Sequence, residues 1–135
     1  MEVRQFNISD YNELVEWWSF WRFPAPTLNL LPVIDNDKIN GIISNINGTN
    51  VACGFLYFTN SDICWIEFIV ANPNVSKKDR SEGLNIMIEK LCEEAKLMGF
   101  KIVFSSIKQE SLINRMKNLG FIEGTIGSTE LVKVL

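Results

Sequence analysis

Three basic side chains, Lys77, Lys78 and Arg80, lie in a stretch, NVSKKDRSEG, between an apolar run, ICWIEFIVANP, and an amphipathic one, LNIMIEKLCEEAKLMG. A strand that empties through a basic, glycine-containing turn into a helix N-terminus presents free N–H groups and the positive end of the helix dipole to one point. That arrangement holds phosphate. A second reading competes with it. Ser76 and Asp79 are spaced as a capping-box variant, so the helix can begin at Ser76 and absorb Gly83 in its interior. Gly83 would then cost on the order of 1 kcal/mol relative to Ala.

The apolar run carries one charge, Glu67. A carboxylate among apolar neighbours, its pKa lifted by desolvation, can take the proton of an attacking amine. The alternative is a glutamate that reaches solvent in a cleft or pairs with Arg4 or Arg22. The chain has no histidine, which removes Ser-His-Asp and Cys-His catalysis, histidine bases and the usual zinc sites, so no metal is expected. Cys64 and Cys92 read as buried thiols, and Glu93 and Glu94 beside Cys92 would raise its pKa.

Composition narrows the partners. A chain of 135 residues reads as one domain, 1–135, and a net charge of -3 gives no reason to expect nucleic acid. The N-terminus, MEVRQFNISD, is polar and lacks a signal-peptide core, and no apolar run is long enough for a membrane span. Three cysteines without C-x-x-C spacing point to reduced thiols and a cytoplasmic setting.

The elements that must position these residues follow from periodicity. Residues 2–7 alternate as a strand. Residues 10–22 have helical spacing, with Ser9 or Asp10 as cap. Trp17 and Phe20 widen that helix's apolar arc. Either the helix is buried on two sides, or Trp17, Trp21 and Phe23 form an aromatic wall beside a small-molecule pocket. Strands at 42–46, 51–58 and 63–71 form an antiparallel meander, the first hairpin turning on Asn47-Gly48. Centring the second hairpin on Asn60-Ser61 sets Glu67 opposite Gly54 and leaves a hollow above the carboxylate. Both faces of strand 63–71 are apolar, so it is central in the sheet. The long helix ends at Gly99, a parallel strand follows at 101–107 by a right-handed crossover, and a second helix spans 110–119. Residues 121–126 and 131–134 can close the sheet as a final hairpin whose exposed edge could pair between subunits as a homodimer. The result is an α+β domain with a mostly antiparallel sheet and one parallel seam.

This order resembles the GCN5-related N-acetyltransferase superfamily over nearly the whole chain. The motifs are Val70-Ala71-Asn72-Pro73, similar to the family's V-x-P, then Arg80-Ser81-Glu82-Gly83-Leu84-Asn85, similar to its Arg/Gln-x-x-Gly-x-Gly/Ala. Asn118-Leu119-Gly120-Phe121 is similar to its helix-then-Gly-Phe step. The chain also resembles small acetyltransferases carried by bacteriophages. The resemblance implies a twisted sheet splayed at the parallel seam, helices on both faces, and acetyl-CoA as donor. Backbone groups of Ile69, Val70 and Ala71 would meet pantetheine. Amides from Arg80 through Ser81, Gly83 and Leu84 to Asn85 would meet the pyrophosphate, with Lys77, Lys78 and Arg80 adding charge.

Three positions differ from the family pattern. Asn85 stands where Gly or Ala lets backbone approach the pyrophosphate, Gln109 stands where Asn is common, and Met116 replaces the tyrosine that protonates the departing thiolate. Ser105 or Ser106 could donate instead, with Glu67 as base. The implied activity is acetyl transfer to a small-molecule or protein primary amine by direct attack. The alternative is a CoA-binding or protein-binding module on the same fold, with little or no catalysis.

Overall fold

A computed structural model describes residues 1–135. The elements run β1 (Glu2–Gln5), α1 (Tyr11–Phe20), β2 (Val33–Ile34), β3 (Lys38–Ile39), β4 (Gly41–Ile46), β5 (Thr49–Phe58), β6 (Ile63–Ala71), α2 (Lys77–Leu97), β7 (Ile102–Phe104) and α3 (Glu110–Asn118). Five strands form one sheet in the order β1-β4-β5-β6-β7, antiparallel except for the β6–β7 pair. Helices cover both faces. On one, Leu14, Trp17 and Trp18 of α1 pack with Phe6, Ile43, Cys53, Phe55 and Val70. On the other, Met87, Ile88, Leu91 and Ala95 of α2 and Met116 of α3 pack on Ile42, Ala52, Leu56, Cys64 and Ile66.

Local chemistry sets the element ends, once differently from expectation. Helix α1 is introduced by a 3-10 turn capped by Asn7, not by Ser9 or Asp10. The Asn7 side chain accepts from the Ser9 N–H, and the Asp10 carboxylate accepts the Asn7 N–H at 2.9 Å. Helix α2 starts at the earlier of the two competing positions: Ser76 Oγ accepts the Asp79 N–H at 3.1 Å, the bond of an N-cap. Gly83 therefore lies inside the helix, where it lets α2 sit close to the sheet. A Cβ there would run into Val51 Cγ1 and come within 2.8 Å of Ser44 Oγ.

The β4–β5 hairpin turns on Asn47 and Gly48 at φ 49° and 84°, as the Asn-Gly pair requires. The β5–β6 register differs by one residue from expectation, because Thr59 and Ser61 organise a longer loop. Ser61 N–H donates to Thr59 Oγ1 and Thr59 Oγ1 donates to the Ile63 carbonyl. Glu67 consequently faces Phe55, and beyond it Cys53 faces Val70, with a bulge between. Phe68, in the bulge, has a φ of 57°. The hollow expected above Glu67 is not there: a Cβ on Gly54 would point into Met87, Leu91 and Ile69 under α2.

Three further segments depart from the pattern. Residues 33–39, to which periodicity assigns no strand, form the small β2–β3 hairpin, turning on Asn36 and Asp37 at positive φ. Strand β7 covers only Ile102–Phe104 of the expected 101–107. Residues 121–135 carry no strand, so the final hairpin does not form.

Candidate functional site

The sheet opens along β6. Ile63, Cys64 and Trp65 pair in parallel with Ile102, Val103 and Phe104, and the last rung is closed by Trp65 stacked on Phe104 at 5.0 Å. Past Trp65 the strand has no partner on the β7 side. Two serines span the start of the opening. Ser105 Oγ donates to the Ile66 carbonyl at 2.7 Å, and the Ser106 N–H donates to Glu67 Oε1 at 2.9 Å. The chain after β7 is thus tied to β6 by a side chain and a carboxylate instead of by a ladder.

Glu67 is half-buried at this point, and its pairing with Phe55 sets it on the α1 face of the sheet. Desolvation pushes its pKa above the usual carboxylate range. The Ser106 N–H opposes that shift, and the Glu130 carboxylate adds to it. Tyr57 follows Phe55 on the same face by strand alternation. Burial, reinforced by the Glu67 charge, pushes its phenol up, and its hydroxyl donates to the Leu30 carbonyl. The group that can change protonation here is therefore Glu67: a weakened acid with one oxygen fixed by a backbone donor.

At the far end of β6, Trp21 Nε1 donates to the Ala71 carbonyl at 2.8 Å, and the Arg80 guanidinium lies over the Trp21 ring at 5.5 Å. Arg80 also donates to the Val75 carbonyl. This aromatic–cation pair joins the end of α1 to the start of α2. The turn between β6 and α2 is held from below by buried Asn72, which donates to the Asn50 carbonyl and accepts the Asn74 N–H, both at 2.8 Å.

Between α2 and α3 lies a polar cleft of about 390 Å³, lined by Ser81, Asn85, Ser111, Asn114, Arg115, Asn118 and Leu119. Arg115 Nη1 reaches the Ser81 carbonyl (3.1 Å), Ser81 Oγ (2.9 Å) and Asn85 Oδ1 (2.9 Å). The lining holds one cation and no carboxylate, so the cleft favours an anion.

Several expected residues meet at the opening: Glu67 and Ser105, with Ile69, Val70 and Ala71 along the free side of β6 and Trp21 and Arg80 at its end. Ala71's carbonyl is already occupied by Trp21. Ser81 and Asn85 line the α2–α3 cleft. Others stand elsewhere. Trp17, only 3% exposed, belongs to the core under α1 and forms no wall, whereas Trp21 and Phe23 are 42% and 51% exposed. The amides from Arg80 to Asn85 are not a free turn: Arg80 N already donates to the Ser76 carbonyl at 2.9 Å, and the rest lie within α2. Gly83 and Leu84 face the sheet and core. The free end of α2 is at Ser76–Lys78, where Lys77 and Lys78 are exposed, and Gln109 is the N-cap residue of α3. Sequence reading missed Arg115, Tyr57 and the Ser106 amide. The helical spacing of Ser111, Asn114, Arg115 and Asn118 was a signal for the first; a register correct by one residue was needed for the second.

A five-stranded α+β sheet splayed at a parallel β6–β7 seam is the fold of the GCN5-related N-acetyltransferases. Solved structures agree. The chain is similar to the ribosomal-protein-S18-alanine N-acetyltransferase of Escherichia coli (TM-score 0.74, 16% identity, over 92% of this chain and 79% of that one). It is also similar to an acetyltransferase of Trypanosoma brucei (TM-score 0.65, 18% identity, 97% and 99%). A Mycobacterium tuberculosis protein solved in complex with CoA matches at a TM-score of 0.67 and 18% identity, over 95% and 76% of the two chains. No protein-family profile matches the chain, and no curated protein matches it in sequence. No helix is long and apolar enough to cross a membrane.

Proposed function

We propose that the protein is a cytoplasmic, acetyl-CoA-dependent N-acetyltransferase acting on a primary amine. One observation carries this reading: β6 loses its β7 partner after Trp65, and the one carboxylate of that strand, Glu67, is held at the opening by the Ser106 amide. The residues present suit the donor. The unpaired side of β6 can receive an extended chain carrying amides as an added strand. Lys77 and Lys78 at the free end of α2 and Arg115 in the cleft beside it supply positive charge for phosphates. These cations replace the expected amide turn at 80–85.

When bound, acetyl-CoA supplies an activated acetyl group as a thioester. The chain's own part is to hold the amine against that carbonyl and to remove its proton. Glu67, raised in pKa by burial, accepts the proton as the C–N bond forms; the C–S bond breaks and the sulfur departs. Met116, at the position of the family's tyrosine, is buried and cannot donate a proton. Ser105 already donates to Ile66, so the leaving group departs as thiolate; a thiol pKa of about 8.5 permits that near neutrality. Trp21 and Phe23, exposed at the end of α1, form the apolar side on which the acceptor approaches.

The test is acetyl-CoA consumption with a panel of small amines and N-terminal peptides, comparing wild type with Glu67→Gln. Turnover that vanishes in the variant supports the assignment. Equal turnover removes Glu67 from the mechanism. Tight CoA binding without turnover on any amine favours the second reading, a CoA-binding module, for which the buried methionine at 116 is the specific observation.

A further inference from the structure

Two cavities border α2, and they carry opposite charge. The cleft toward α3 holds Arg115 and no carboxylate. Between the last turns of α2 and the β2–β3 hairpin lies a second cavity, of about 550 Å³, whose lining holds two carboxylates, Asp35 and Glu94, and no cation. Its floor is core. Ile42 of β4, Leu56 of β5 and Leu91 of α2 are buried there, in the cluster that packs α2 on the sheet. Val33 and Ile34 line it from the hairpin, and Phe58 and Met98 line it at the ends of β5 and α2.

The polar groups of this lining all offer oxygen. Gln5 Nε2 donates to the Ile39 carbonyl and Asn40 Nδ2 donates to the Leu56 carbonyl, each at 2.9 Å. Those bonds hold the hairpin to the sheet and leave the two amide oxygens without a partner. The Asp35 carboxylate makes no ion pair, and Glu94 shares Lys90 with Glu93 on the helix surface, at 3.5 Å and 3.4 Å. A cavity of this size with an apolar floor and a few polar groups has the form of a small-molecule site. Acceptors without donors select a ligand that brings positive charge, and the buried floor selects one with a hydrocarbon body. We propose that this cavity binds an organic cation with an apolar body, its charge at Asp35 and Glu94 and its hydrocarbon on Ile42, Leu56 and Leu91. The site is separate from the opening on β6. Ile42 and Leu56 lie on the α2 face of the sheet, whereas Glu67, paired with Phe55, lies on the α1 face. A ligand here leaves the acetyl-CoA opening free.

The probe is benzyltrimethylammonium, which has an apolar ring, a fixed charge and no N–H, so it cannot serve as an acetyl acceptor. Titrated into the full chain and followed by methyl and amide NMR, it should give saturable shifts at the methyls of Ile34, Ile42, Leu56, Leu91 and Met98 by near-millimolar ligand. The amides of Glu67–Ala71 should not move. Benzyl alcohol, with the same ring and no charge, should bind about tenfold more weakly, and Asp35→Asn with Glu94→Gln should lower affinity for the cation about tenfold. Asp35 is exposed and Glu94 half-exposed, so the double variant keeps the fold. Absence of saturable shifts at those methyls, or shifts centred on the β6 opening, overturns the proposal. Equal binding of benzyl alcohol, or an unchanged affinity in the double variant, also overturns it, because the cavity is then an apolar hollow without preference for charge.

Discussion

The two halves of β6 have the same neighbour on one side and opposite fates on the other. Ile63–Trp65 lies between β5 and β7, with its last rung closed by stacked aromatic rings. From Ile66 to Ala71 the strand has β5 alone, a bulge with Phe68 at positive φ, and two serines where a ladder would be. Amino-acid type does not separate the halves, since both are apolar. What separates them is where β7 stops: Ser105 and Ser106 turn their bonding capacity onto Ile66 and Glu67, and the strand ends. One strand thus anchors the sheet at one end and presents backbone and a carboxylate at the other.

That contrast can be broken by substitution. The largest effect belongs to the open half. Glu67→Gln should lower turnover by about 10²- to 10⁴-fold, read as initial rates of acetyl-CoA consumption, while leaving the fold as stable as wild type at pH 7. The sign follows from burial. A carboxyl whose folded pKa is raised favours the folded state when protonated, and that contribution fades as pH rises from the unfolded value through the folded one, so an uncharged amide loses nothing at neutral pH. By the same shift, wild-type activity should rise with pH through a range above ordinary carboxylates, and the rising limb should be absent from any residual activity of the variant.

The closed part of the sheet should respond in stability instead. Gly83→Ala pushes a methyl into Val51 and Ser44. Overpacking of about 1–3 kcal/mol should exceed the helix-propensity gain of about 1 kcal/mol, so the urea midpoint should fall. Ser76→Ala removes the α2 cap and should cost about 1 kcal/mol in the same measurement, with a parallel loss of CoA affinity if the helix start holds phosphate. The smallest effect is at Asp10, whose carboxyl the Arg4 guanidinium holds below its usual value. Asp10→Asn should cost less than about 1 kcal/mol at neutral pH, because Arg4 is well exposed. The difference from wild type should vanish as pH falls through the folded Asp10 pKa, since the stability that Asp10 contributes above its unfolded value is lost there.

The sheet, both long helices and the bounds of β6 were legible because apolar spacing and the Asn47-Gly48, Gly99 and Gly120 signals are local. The capping geometry at Ser76 was also in the sequence, as one of two competing helix starts, and the close seat of Gly83 on Val51 is what accompanies it. The register of β6 was not legible. It depends on whether Thr59 and Ser61 bond to each other across the loop, and one residue there moves every partner of Glu67. Trp17 and Trp21, four residues apart, would share a face if the helix continued; they differ because α1 ends at Phe20 and Trp21 stands past it. Arg115 could be tied to Ser81 and Asn85 only once the α2–α3 contact was known.

The central claim is that the unpaired half of β6 receives an acetyl-CoA chain. It is tested most directly by backbone amide NMR shifts on titration with CoA. The account predicts saturable shifts at Glu67–Ala71, Ser106 and the start of α2 at Lys77 and Lys78, with Ile63–Trp65 unmoved. Shifts confined to other surfaces, or none at near-millimolar ligand, would contradict it.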